Sequence, residues 1–112
     1  MQIEERVVGT VTILDLKGNV TLGAGDGALR DKINSLVYQD RRQILLSLAG
    51  VPYVDSAGLG EIVRAYTTVS RGAGQLKLVN LTKRITDLLT ITKLLTVFET
   101  FDTEPAALKS FS

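Results

Sequence analysis

Residues 44–61 read Ile44-Leu45-Leu46-Ser47-Leu48-Ala49-Gly50-Val51-Pro52-Tyr53-Val54-Asp55-Ser56-Ala57-Gly58-Leu59-Gly60-Glu61. The first five residues are nearly all apolar, and breakers flank them. Such a short run suits a central strand covered on both faces. Pro52 has no backbone N–H to offer a sheet, so Gly50 to Asp55 reads as a loop. Leu59, Ile62, Val63, Tyr66 and Val69 then recur at helical spacing, and Gly72 follows as a C-terminal stop. Strand, loop and helix in this order form the unit of an α/β domain. Ile44 to Leu48 should lie centrally, and Leu59, Ile62, Val63 and Tyr66 should be buried.

Upstream, Val7-Val8 and Val11 to Leu16 are β-branched and apolar around Gly9-Thr10, which predicts a hairpin. Lys17-Gly18-Asn19 breaks the pattern. Val20-Thr21-Leu22 leads into Gly23-Ala24-Gly25-Asp26-Gly27, read as a flexible loop, with Asp26 where a negative charge favours a helix start. Leu29, Ile33, Leu36 and Val37 mark an amphipathic helix that ends at the polar break Asp40-Arg41-Arg42. Downstream, Leu76, Leu78 and Val79 mark a strand. Thr82 can cap a helix carrying Ile85, Leu88 and Leu89. Val97 to Phe101 reads as the last strand. Glu104-Pro105 opens a closing helix with Leu108 and Phe111 inward. The expected fold class is α/β: a mixed β-sheet with an N-terminal hairpin, covered by about four amphipathic helices.

Composition narrows the function. At 112 residues the chain has the size of one domain. Its 45% hydrophobic and 22% charged residues can build one core without disulfides or metals. Net charge is +1 with scattered Lys and Arg, a poor footprint for nucleic acid. With no Cys there is no disulfide, no thiolate ligand and no thiol nucleophile. With no His, Ser-His triads and His-ligated metals drop out together. No apolar run approaches the roughly 20 residues of a membrane helix. Met1 to Arg6 is polar and has no signal-peptide core. A cytoplasmic protein without membrane insertion or direct nucleic-acid binding is expected.

Chemistry concentrates in Val54 to Glu61. A loop after a strand of an α/β sheet lies where functional sites collect. Ser56 sits at a helix N-terminus, where unpaired N–H groups can receive an anion. Gly58 and Gly60 would let a partner's backbone come close. The alternative is that Ser56 or Asp55 simply caps the helix. A capping box is absent, because Leu59 stands three residues after Ser56. Gly23 to Gly27 has no Gly-Lys-Ser/Thr ending, and Val63 occupies the third glycine position after Gly58-x-Gly60, so both segments read as connections in preference to nucleotide loops. Val54 two residues before Ser56 and the lack of His argue against a hydrolase nucleophile. Arg41-Arg42 and Lys83-Arg84 read as solvated surface, and Leu88, Leu89, Leu94 and Leu95 as core.

Asp55-Ser56-Ala57-Gly58-Leu59-Gly60 resembles the Asp-Ser-Ser/Thr-Gly-Leu-Gly signature of the bacterial STAS-domain anti-sigma factor antagonists. Ile13 to Gly18, Ile44 to Leu48, Gly72 to Leu78, and Leu89-Thr90-Ile91-Thr92-Lys93-Leu94 resemble further family segments in the same order. The last resembles a helix ending in a Thr/Ser-Gly-Leu run. The resemblance covers nearly the whole chain and implies one STAS domain over residues 1–112. It implies that Ser56 is phosphorylated by an anti-sigma factor that is also a serine kinase. The unphosphorylated form then binds the anti-sigma factor and frees a sigma factor, and a phosphatase resets the switch. Thr21, Asp55, Ser56, Ala57, Gly58, Leu59 and Gly60 are the implied partner-binding residues. Thr21 stands where the family has Asp, and Ala57 replaces the second hydroxyl. On this reading the chain is no enzyme and needs no cofactor or metal. Two alternatives stand beside it: a structural subunit of a stress-signalling or transporter complex, and a small nucleotide-binding protein.

Overall fold

A computed structural model describes residues 1–111. Strands β1 (Gln2–Val8) and β2 (Val11–Lys17) form an antiparallel hairpin, followed by helix α1 (Asp26–Tyr38) and strand β3 (Gln43–Gly50). Helix α2 (Ser56–Arg71), strand β4 (Gln75–Val79), helix α3 (Lys83–Ile91), strand β5 (Thr100–Phe101) and helix α4 (Glu104–Ser110) complete the chain. The five strands lie in the order β1-β2-β3-β4-β5, and every pairing after the hairpin is parallel. The α/β class, the hairpin and the central place of Ile44 to Leu48 are as the sequence reading has them.

The apolar run of β3 is explained by the two faces it serves. Ile44, Leu46 and Leu48 join Leu14, Leu16, Leu76 and Leu78 in the core beneath α1, α2 and α3. Leu45 pairs in register with Ile13 and points to the other face, where Val11, Val79, Ala107 and Phe111 make a smaller core under α4. Lys77 is buried on this second face, and its Nζ donates to the Ser110 carbonyl and hydroxyl at 3.0 Å each. It also pairs with Glu99 at 3.3 Å and lies 4.6 Å from the Phe111 ring centroid, anchoring the closing helix.

Four expectations need correction. The first strand begins at Gln2 rather than Val7; its residues are almost all exposed, so backbone pairing with β2 holds it and no apolar alternation announces it. The last strand is only Thr100–Phe101. The chain before it turns, with Val97 N–H donating to the Leu94 carbonyl, and Phe98 plugs the main core against Tyr66. On α2, Ile62 is buried but Leu59, Val63 and Tyr66 are half-buried and flank the contact line. That line runs through Gly58, Glu61, Ile62, Ala65 and Val69, whose small members let the helix sit close. Finally, Gly23 to Gly25 is a hydrogen-bonded turn, and Asp26-Gly27 already opens α1. Thr21 and Ala24 exchange backbone bonds of 2.8 and 2.9 Å, and the Asp26 carboxylate accepts from Gly23 and Gly27.

Candidate functional site

The loop after β2 and the loop after β3 lie side by side at the carboxyl end of the parallel strands. Val20 and Val54 form an isolated parallel bridge, with Val20 N–H donating to Tyr53 O at 3.0 Å and Asp55 N–H to Val20 O at 3.3 Å. Asp55 is the residue that locks the two together. One carboxylate oxygen accepts from Gly58 N–H at 2.8 Å and caps α2. The other accepts from Leu22 N–H at 3.0 Å, across the gap between the loops. These N–H donors, Leu22 first and Gly58 next, hold the Asp55 carboxyl below its ordinary range by stabilising the ionised form.

Asp55, not Ser56, is therefore the N-cap. Ser56 is the first residue of the helix, exposed, and its hydroxyl has no intramolecular hydrogen bond among the described residues. Its position places it beside unpaired N–H groups of the first turn. Thr21 sits in the neighbouring loop, half-buried, and its hydroxyl donates to the Ala24 carbonyl at 3.3 Å. The fold thus brings Thr21 and the Asp55–Gly60 segment to one end of the molecule.

The two glycines separate in role. A Cβ on Gly58 would lie 1.7 Å from the Val20 carbonyl oxygen, and the residue is buried. Its missing side chain admits the chain's own loop rather than a partner's backbone, which corrects the sequence reading. Gly60 is exposed with open space where a Cβ would be, so it remains available to a partner. Ala57 and Leu59 are half-buried, and Leu59 packs on the core. Below them Glu61 is buried, accepting from Arg30 at 2.6 and 3.1 Å and tying α1 to α2. Sequence reasoning missed Leu22, whose side chain is 77% exposed and whose N–H completes the Asp55 clasp. A backbone donor in a second loop leaves no trace in residue type.

The geometry agrees with comparison to known proteins. The STAS domain family model matches residues 2–107, and the chain belongs to that family. The anti-sigma-B factor antagonist of Bacillus subtilis is 39% identical over 66 residues, 59% of this chain and 60% of that protein. The alignment therefore spans about three-fifths of that relative's length. A Thermotoga maritima protein of known crystal structure superposes with a TM-score of 0.89 at 22% identity, covering 96% of this chain and 92% of that one. The Bacillus protein SpoIIAA, solved in its phosphorylated form, superposes with a TM-score of 0.76 at 18% identity over 99% of this chain and all of that one (100%). These two structures share the fold. No helix among the described residues is long and apolar enough to cross a membrane.

Proposed function

We propose that the chain is an anti-sigma factor antagonist controlled by phosphorylation of Ser56. The unphosphorylated form binds an anti-sigma factor that is also a serine kinase, and a sigma factor is released. Phosphorylation of Ser56 ends the complex, and a phosphatase restores it. The chain is then a binding module and a kinase substrate, with no catalytic residue of its own.

The observation that carries this reading is the division of labour between Asp55 and Ser56. The carboxylate is engaged by two backbone donors, so the neighbouring hydroxyl has no capping duty and faces solvent. An exposed hydroxyl at the first position of a helix is accessible to a kinase, and the added phosphate meets the positive end of the helix dipole. The name of the Bacillus subtilis relative and the phosphorylated form in which SpoIIAA was solved support the same reading. Thr21, Ala57, Leu59 and Gly60 surround Ser56 as partner contacts, whereas Gly58 contributes by holding the loop.

The test is a phosphorylation assay with a cognate anti-sigma kinase and ATP. Mass spectrometry should place one phosphate on Ser56 of the wild type and none on Ser56→Ala. Phosphate elsewhere, or equal incorporation by both proteins, contradicts the assignment.

A further inference from the structure

Beside the Ser56 loop lies an open groove of about 470 Å³, lined by Tyr53, Val54, Lys83, Arg84, Leu88 and Ile91, with Asp87 also on its wall. Ile91 is 79% exposed and Tyr53 is 45% exposed, although both are large apolar residues. Two cations line the groove. Lys83 and Arg84 occupy the first turn of α3, where the helix dipole disfavours positive charge. Neither makes an ion pair among the described residues; Arg84 instead lies over the Tyr53 ring, 5.7 Å from its centroid. The nearest carboxylate, Asp87 one turn on, shares the groove wall without closing an ion pair with either, so the groove keeps a net charge of +1.

We infer that this groove is a second docking surface for the protein partner, and that it takes an amphipathic segment carrying acidic residues next to apolar ones. The inference rests on the proposed function and extends its interface from Ser56 along α3. Charge complementarity selects the occupant: carboxylates would meet Lys83 and Arg84, while apolar side chains would cover Tyr53, Leu88 and Ile91. Continuity supports it, because Tyr53 and Val54 run directly into Asp55 and Ser56.

The experiment uses the full chain and the anti-sigma-B factor of Bacillus subtilis as probe, with affinities measured by calorimetry. Lys83→Glu combined with Arg84→Glu should weaken binding about tenfold or more and flatten its salt dependence. The same double variant should melt at or above the wild-type temperature, because acids suit the first turn of α3. Ile91→Ser, at an exposed position, should weaken binding by about tenfold without unfolding the protein. Arg41→Glu with Arg42→Glu makes the same charge change at the opposite end of β3 and should leave affinity within about twofold of wild type, since distant rim charges are screened. If wild type binds and Ser56→Asp does not, yet the α3 variants bind like wild type, the groove assignment is overturned while the Ser56 reading stands. If wild type does not bind, the proposed function falls and the groove assignment with it. A dimer of the free protein that the double charge reversal dissociates would also overturn it, since the occupant would be a second copy.

Discussion

At Asp55 each carboxylate oxygen accepts one backbone N–H, from Gly58 at 2.8 Å and from Leu22 at 3.0 Å. Both bonds favour the ionised form, so the folded state binds the Asp55 proton less tightly than the unfolded state does. The stability that Asp55 supplies is fully present above the ordinary carboxylate pKa of about 4 and is lost as pH falls through the lower folded value. Asp55→Asn keeps a capping oxygen but cannot titrate. Chemical denaturation from pH 6 down to about 3 should show a shallower loss of stability in Asp55→Asn than in wild type. Parallel acid limbs would show that the clasp does not operate. Gly58 makes the complementary point by having no side chain. Gly58→Ala would drive a methyl group into the Val20 carbonyl. The loops must separate, and the domain should lose roughly 2–3 kcal/mol in denaturant unfolding, the scale of an overpacked core site. A loss under about 0.5 kcal/mol, the range of an ordinary surface change, would mean that the loop moves away without strain.

Among the elements, α1, α2 and α3 end in the same way. Each has a residue with left-handed backbone just after its C-cap: Asp40, Ala73 and Lys93, all at φ 61°. In each, two bonds close the turn. After α2, for example, Ala73 N–H donates to Ser70 O at 3.1 Å and Gly74 N–H to Val69 O at 2.9 Å. This is the Schellman arrangement, and its left-handed position favours glycine. Sequence reading assigned the stop to Gly72, but Gly72 has φ −83° and needs no glycine for its conformation. Gly74 is the glycine that packing requires, since its Cβ would lie 2.5 Å from the Arg42 carbonyl. Replacing Ala73 or Lys93 with Gly should relieve left-handed strain at some cost in unfolded-chain entropy, for a net gain of roughly 0.5–1 kcal/mol each. The two sites are on different helices, so the double variant should show a near-additive rise in stability by urea unfolding. A fall in stability for either would mean that its side chain makes a contact worth more than the strain.

The same elements show where residue type speaks and where it is silent. The run Ile44 to Leu48 announces a strand because both of its faces are buried, and Thr82 announces its cap because the hydroxyl accepts from Ile85 N–H. The site was legible as far as Asp55-Ser56 before a helix. Which of the two caps was not, because Asp and Ser are both good caps and the choice rests on which side chain meets Gly58 N–H. Nor could spacing reveal the role of Gly58, which is set by a carbonyl distant in sequence, or β1, whose exposed charges pair with Asp15, Lys17, Lys32 and Glu104 on other elements.

For the whole molecule, Ser56 lies at the surface and at a helix N-terminus, outside the buried core cluster. Adding about 1.5–2 negative charges there should leave the fold intact. The helix dipole favours the charge and the Asp55 carboxylate opposes it, so the two effects largely offset each other. On the proposed function the switch then acts at the interface, where a partner cannot easily desolvate the new charge. Ser56→Asp separates this account from its alternative most directly. The measurement is a calorimetric titration of the anti-sigma factor into wild type and Ser56→Asp, with the melting temperature of each free protein recorded beside it. The account predicts that Ser56→Asp melts within a few degrees of wild type and binds about a hundredfold more weakly, close to 3 kcal/mol. Equal affinity would contradict the switch, and an unfolded Ser56→Asp would contradict its location at the interface.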